Sequence, residues 1–234
     1  MRERRHELLC LTTPLGGAPR LPSRGATMSN EEAYAGGLLN RALDPATQPP
    51  EIRAFLQAEI ELLRDLTASG MRVIDLGCGT GRHLALLRDR LALGVGVDYQ
   101  HVYLVEAHAR AGSHPLHFVT GDATAVPIAS KFDLAICMTN TWGTMSDKTG
   151  VLREMRRLAP GPDRRLLSVY AAASVPARCE WYRRLGHGVV EVADEFILTE
   201  GGFRSEHFSE ARLRDLVGAC VVRPLAEIAY VVTF

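Results

Sequence analysis

The stretch VIDLGCGTG, residues 73–81, sets Gly77, Gly79 and Gly81 at alternate positions directly after a short apolar run. Glycine reaches positive φ and carries no Cβ, so such a run lets the chain turn tightly and lets a ligand touch the backbone itself. A dinucleotide fingerprint spaces its glycines G-x-G-x-x-G and seats a pyrophosphate over a helix N-terminus. Here the spacing is G-x-G-x-G, and Arg82 stands where the third glycine of that fingerprint would fall. Asp75, just ahead of the turn, would repel a pyrophosphate and attract an ammonium group. The ligand expected here carries a cation. An ordinary tight turn from strand to helix is the competing reading of a glycine run taken alone.

Two more acids close later apolar runs. Asp98 ends GVGVD, where a carboxylate accepts both hydroxyls of a ribose, and Tyr99 beside it offers a ring face either to a nucleobase or to the core. Asp122, in GDATAVPI, is spaced to accept from an exocyclic amine, with the Ala123 amide next to it for an adenine ring nitrogen. A ribose, an adenine and an amino-acid head group are all provided for.

These residues need elements to hold them. In PPEIRAFLQAEIELLRDLTASG, residues 49–70, the apolar positions Ile52, Phe55, Leu56, Ile60, Leu63 and Leu66 recur at helical spacing between two prolines and a glycine. MRVIDLG then reads as a strand and RHLALLRDRLA as a helix. GVGVDY (94–99), LHFVTGD (116–122) and KFDLAICM (131–138) read as strands, with a helix over residues 100–111. TGVLREMRRLAP is helical and RRLLSVYA is a fifth strand. Such alternation predicts right-handed crossovers and a parallel sheet covered on both faces. Beyond it the spacing predicts a helix near residues 176–186 and two strands about a turn at Gly201 and Gly202. A helix capped by Ser209 follows, and VVRPLAEIAYVVTF supplies two antiparallel strands at the sheet edge. The expected fold is α/β: a Rossmann-like doubly wound sheet of seven strands, mostly parallel with an antiparallel last strand, plus a small helix and hairpin insertion at residues 174–208.

With 234 residues, 47% of them hydrophobic, the chain is sized for one substantial core. Residues 1–28 mix arginine, proline and glycine without periodicity. They are expected to be a disordered or spurious extension with Met28 the true start; an arginine-rich transit peptide is the alternative, against which Glu3 and Glu7 count. Residues 29–234 are expected to form a single domain, with 29–68 an N-terminal lid and helix. Equal numbers of basic and acidic residues, 27 each, give nothing to draw the chain to nucleic acid or an acidic membrane. Cys10, Cys78, Cys137, Cys179 and Cys220 form no CxxC pair and have no histidine at ligand spacing, so reduced thiols and no metal are expected. No apolar run approaches membrane-span length. A cytoplasmic monomer or homodimer with no nucleic-acid or membrane partner is the expectation.

VIDLGCGTG, the GVD of the second strand, GDATAVPI, and FDLAICM with a late antiparallel strand resemble, in that order, the class I S-adenosylmethionine-dependent methyltransferases. The resemblance covers about residues 50–234 and implies S-adenosylmethionine as cofactor. It implies that Asp75 and the Gly77 backbone hold the methionine end, with Cys78 in the same loop, while Gly79 and Gly81 shape the turn. Asp98, flanked by Tyr99, takes the ribose, and Asp122 with Ala123 reads the adenine. Thr139 and Asn140, in TNTWG, border the methionine part and the methyl-acceptor side.

Methyl transfer from a sulfonium is an in-line displacement, accelerated chiefly by holding the acceptor near the methyl carbon. Where the acceptor must lose a proton, His207 in GFRSEHFS is the candidate base, against the alternative of a structural histidine. Asn140 and Tyr34 complete the catalytic candidates. Tyr34, Trp142 and His207 are the candidate acceptor contacts, with core packing the competing reading of Trp142. Tyr34 and Asn40 lie in a segment that reads as a lid, with Gly36 and Gly37 as its hinge. There is no basic stripe with interleaved aromatics, and TNTW stands where amine-modifying enzymes of DNA and protein carry an NPPY-type tetrapeptide. A small-molecule acceptor is therefore expected, with nitrogen, oxygen, sulfur and carbon all open. Two rivals remain: a catalytically silent, cofactor-binding regulatory subunit, and a nucleotide-binding oxidoreductase, which the glycine spacing disfavours.

Overall fold

Val73 and Ile74 are neighbours in sequence, yet each is fully buried and each belongs to a different apolar cluster. Successive side chains of a strand point to opposite faces, so a strand buried on both sides must be covered by helices on both. The computed structural model describes residues 30–234 and has this arrangement. Strands β1 (Met71–Leu76), β2 (Leu91–Asp98), β3 (Leu116–Thr120), β4 (Leu134–Cys137) and β5 (Arg165–Tyr170) are mutually parallel. After the insertion come β9 (Val221–Leu225) and β10 (Ala229–Thr233), and β10 runs antiparallel to both β5 and β9. The sheet order is β3-β2-β1-β4-β5-β10-β9. It reverses between β1 and β4, and the crevice at such a reversal is where open α/β sheets bind ligands.

One face is covered by α3 (Pro50–Leu66), α4 (Arg82–Leu87) and α5 (His101–Ala111), whose Phe55, Leu84 and Leu104 pack with Val73 and Ile136. The other is covered by α6 (Lys148–Leu158) and α8 (Glu210–Val217), which bury Val151, Met155 and Leu213 against Ile74 and Leu76. Each such aliphatic side chain contributes about 1.5–3 kcal/mol when removed from water. Pro50 begins α3, where a missing N–H costs nothing. Asp147 and Ser209 cap α6 and α8, accepting from the Gly150 and Arg212 amides at 2.8 and 3.2 Å.

Two boundaries depart from the sequence reading. RHLALLRDRLA is not one helix: α4 stops at Leu87, a single 3₁₀ turn spans Arg88–Arg90, and β2 already begins at Leu91. Leu91 pairs with Met71 of β1 and is buried there, so sheet pairing overrides a helical local pattern. The insertion carries three short strands rather than two. After α7 (Val175–Arg184), β6 (Val189–Val192), β7 (Phe196–Thr199) and β8 (Arg204–Glu206) form a separate antiparallel sheet in that order. Ahead of α3 lie two short helices, α1 (Asn30–Ala35) and α2 (Leu38–Ala42). The extension read at residues 1–28 lies outside the described residues. Among the described residues, no helix is long and apolar enough to cross a membrane.

Candidate cofactor and acceptor site

Gly77, Gly79 and Gly81 all have positive φ, at 76°, 51° and 69°. A Cβ on Gly77 would lie 2.3 Å from Thr141 Cγ2, and one on Gly79 would lie 2.3 Å from Leu39 Cδ2. The turn is thus closed in by the loop after β4 and by the α1–α2 segment. The Gly77 and Cys78 amides both donate to the Val97 carbonyl, at 2.7 and 3.1 Å, fixing the turn against β2. The Asp98 carboxylate, at the end of β2, accepts from the Gly79 amide at 2.8 Å through Oδ2 and from the Gln100 amide at 2.8 Å through Oδ1. An ionised carboxylate offers about four lone-pair sites, so one remains on each oxygen. Burial pushes the Asp98 carboxyl up, the two amides pull it down, and the charge of Asp75 adds to burial; the net shift is upward.

These groups open onto a cavity of about 790 Å³ at the carboxyl ends of the strands. Gly77, Gly79, Asp98, Tyr99, Asp122, Ala123 and Thr139 are among the residues that line it. Asp122 is oriented by its own loop, with Oδ1 accepting from the Thr124 amide at 2.7 Å. Tyr34, Thr144, Arg204 and Glu206 line it as well. The α1–α2 segment is tied over the cavity. Asn30 Nδ2 donates to the Thr144 and Arg204 carbonyls at 2.6 and 2.7 Å, and Asn30 Oδ1 accepts from the Arg204 amide at 2.7 Å. Gln100 Nε2 donates to the Glu31 carbonyl at 2.9 Å, and the Tyr103 hydroxyl donates to the Tyr34 main-chain carbonyl.

Several residues singled out in the sequence do not line this cavity. Thr139 and Asn140 both have positive φ, 55° and 56°, so the chain turns sharply after β4. That turn presents Thr139 and Thr141 to the cavity and sends Asn140 and Trp142 inward. Asn140, expected to border the reaction centre, is buried and does not line the cavity. Its Nδ2 donates to Ser205 Oγ and the Glu206 carbonyl, both at 3.1 Å, and its Oδ1 accepts from the Tyr170 amide at 3.0 Å. Trp142 is core: fully buried, stacked on Phe208 at 5.2 Å, its indole N–H donating to the Lys148 carbonyl. His207 is buried as well. Arg204 and Glu206 face the cavity while Ser205 and His207, alternating with them, face inward, so His207 is not placed to act as a base there. Cys78 lies beneath the turn against Gly96, and Gly81 shapes the turn without lining the cavity. Asp75 is 1% exposed and also lies behind the cavity wall.

What Asp75 belongs to is a charge cluster that the sequence reading missed. Glu59 of α3 is fully buried and accepts from Arg82 Nη2 at 2.8 Å, from the Thr139 amide at 2.6 Å, from Thr139 Oγ1 at 2.8 Å and from the Ser168 hydroxyl. His83 bridges the two acids, with Nε2 3.7 Å from Glu59 and Nδ1 3.5 Å from Asp75. Burial alone would raise the Glu59 carboxyl; His83, Arg82 and Ser168 together override it and hold it below its ordinary value. The cluster fixes Thr139, and through it the cavity floor.

A seven-stranded sheet in this order, with a glycine turn after β1 and an acid closing β2, is the fold of the class I S-adenosylmethionine-dependent methyltransferases. Residues 73–161 match the family described as methyltransferase domain. Over 106 residues the chain is 30% identical to a dTDP-4-amino-2,3,4,6-tetradeoxy-D-glucose N,N-dimethyltransferase of Saccharopolyspora spinosa, an alignment covering 44% of this chain and 42% of that protein. The chain spans less than half the length of the curated relatives it matches, 32% and 42%. The solved PH0226 protein of Pyrococcus horikoshii OT3 superposes with a TM-score of 0.62 at 19% identity, covering 83% of this chain and 97% of that one. A magnesium protoporphyrin IX methyltransferase of Synechocystis PCC 6803 with bound SAH gives 0.54 at 20% identity, covering 78% and 84%.

Proposed function

We propose that this chain is an enzyme that transfers a methyl group from S-adenosylmethionine to a small-molecule acceptor. The observation that carries the reading is Asp98, held at the end of β2 by the Gly79 and Gln100 amides and facing a cavity floored by backbone. Its two free lone-pair directions suit the hydroxyls of a ribose. Asp122, with the Ala123 amide, suits an adenine, and the loop from Thr139 to Thr141 borders the methionine part. When bound, S-adenosylmethionine supplies an electrophilic methyl group on a sulfonium.

The chain's own residues bind and orient more than they move protons. Burial pushes the Tyr34 hydroxyl far above its ordinary value, so it stays protonated and donates to Thr144 Oγ1. Burial would raise the Glu206 carboxyl, but Lys148 and Arg212 hold it below its ordinary value, leaving a poor base. Neither group titrates near neutrality, so the work falls to proximity and alignment. The acceptor end is bounded by Tyr34, Thr144, Arg204 and Glu206 within a closed lid, which supports a small acceptor, as does the sugar-modifying relative.

Calorimetric titration with S-adenosylmethionine and with S-adenosylhomocysteine tests the reading; micromolar binding at one site is expected, and binding of neither overturns it. Methyl uptake from labelled cofactor, assayed over small amines, phenols, thiols and acids, separates the enzyme from a silent binding subunit. The lid carries its own prediction. Asn30→Ala removes three hydrogen bonds to Thr144 and Arg204, two of them exposed, each worth about 0.5 kcal/mol net. S-adenosylhomocysteine should leave this variant roughly tenfold faster in stopped flow; an unchanged release rate would mean that the α1–α2 segment does not gate the site.

A further inference from the structure

Arg178 of α7 is fully buried, yet among the described residues it forms no ion pair. Its Nη2 donates to the Ser205 carbonyl at 2.7 Å, and its remaining contacts are long: Ser174 Oγ from Nη1 and the Tyr182 hydroxyl from Nε and Nη2, all at 3.4 Å. The guanidinium lies over two rings, 4.6 Å from the Tyr170 centroid and 5.7 Å from that of Tyr182. A guanidinium has five N–H donors in a planar fork, so most of this one's capacity is spent on neutral groups at poor distance. A buried charge without its counter-ion is costly, and proteins retain one where something else neutralises it. Tyr170 adds a second, independent observation: its hydroxyl is buried and has no hydrogen-bond partner.

Both groups stand directly behind the cavity. Tyr182 meets Phe203 edge to face at 5.8 Å, and Phe203 meets Tyr34 edge to face at 5.7 Å. Tyr34 lines the cavity, as do Gly202 and Arg204 on either side of Phe203. Three rings in contact, Tyr182, Phe203 and Tyr34, therefore lead from the guanidinium, which stacks on the unpartnered Tyr170, to the cavity. Tyr182 shares α7 with Arg178, Tyr34 rides on the lid, and Phe203 follows Gly202, whose φ of 83° marks a sharp bend. The nearby acid Glu59 is already neutralised by Arg82 and His83.

We propose that Arg178 and the Tyr170 hydroxyl form a carboxylate subsite for the methyl acceptor, reached when the Tyr34 and Phe203 rings part. This rests on the methyl-transfer reading and narrows it. The acceptor is a small carboxylic acid whose anion docks on the guanidinium fork while its nucleophilic atom stays on the cavity side of the rings. A planar carboxylate matches the fork with two parallel hydrogen bonds, the geometry that gives arginine its preference for such anions.

Benzoate and its neutral counterpart benzamide are the probes, titrated calorimetrically into the full chain saturated with S-adenosylhomocysteine. Benzoate should bind about tenfold or more tighter than benzamide, and Arg178→Met should abolish that preference. Equal binding of the two probes to the wild type, or a preference that survives Arg178→Met, overturns the proposal. Should that variant fail to fold, Tyr170→Phe carries the test, since it removes only an unpartnered hydroxyl; benzoate affinity should fall several-fold, and an unchanged value overturns the subsite. Failure of the methyl-transfer reading has a different signature, no binding of S-adenosylhomocysteine. A benzoate preference measured without it would then keep the anion site and drop the acceptor.

Discussion

Glu59→Ala is expected to lower the unfolding free energy by about 3–5 kcal/mol, the cost of removing one partner from a buried ion pair. Glu59 is fully buried and receives hydrogen bonds from Arg82, Thr139 and Ser168, with the His83 ring beside it. Deleting it leaves the largely buried Arg82 and the buried His83 facing one another without the anion between them, beside an unpaired Thr139 amide. Glu59→Gln preserves volume and part of the hydrogen bonding, so it should cost less, and the gap between the two variants reads the charge. Urea denaturation measures both, and a loss below about 1 kcal/mol for the alanine variant would show the cluster to be dispensable.

The same cluster gives stability a pH dependence with two limbs. The folded Glu59 carboxyl lies below its ordinary value, so its contribution is present above the unfolded value of 4.5 and is lost as pH falls through the folded one. Burial and the Arg82 charge push the His83 imidazole down, but Asp75 and Glu59 outweigh them and raise it. Its contribution is fully present below the unfolded value of 6.5 and is lost as pH rises through the folded one. In Glu59→Gln the acid limb should flatten, and the alkaline limb should shrink because His83 loses one of its two carboxylates.

The proposed cofactor side of this site was legible because it is written in backbone. Gly77 and Gly79 announce a turn that only glycine tolerates, Asp98 ends β2, and Asp122 lies two residues beyond β3, in strands that the alternation with helices marks as parallel. The acceptor side was not, because it is written in alternation within a short irregular sheet. Choosing His207 over Glu206 requires knowing which of two adjacent residues faces inward, and β8 is only three residues long. Trp142 and Asn140 misled for a related reason: two consecutive positive φ angles after β4 reverse which side chains meet the cavity, and neither Thr139 nor Asn140 is a glycine that would advertise them. Glu59 did leave a signal. With Ile52, Phe55, Leu56 and Leu63 forming the buried stripe of α3, position 59 falls on that stripe, and a carboxylate there requires a buried partner.

Asp98→Ala is expected to weaken S-adenosylhomocysteine binding by roughly 2–4 kcal/mol, about 30- to 1000-fold, because it acts twice. It removes the charge-assisted hydrogen bonds proposed for the ribose, and it also releases the Gly79 and Gln100 amides that shape the turn beneath the ligand. Asp98→Asn separates the two effects. Its amide oxygen still accepts from one of those amides while the charge is gone, so it should fall between the wild type and alanine. Acid should imitate the asparagine variant, because the Asp98 carboxyl is raised above its ordinary value in the free protein. Protonation as pH falls through that value replaces an acceptor by a donor on one oxygen. Wild-type affinity should therefore decline with acid while that of Asp98→Asn stays level, and parallel pH profiles for the two proteins would remove Asp98 from the ligand contact.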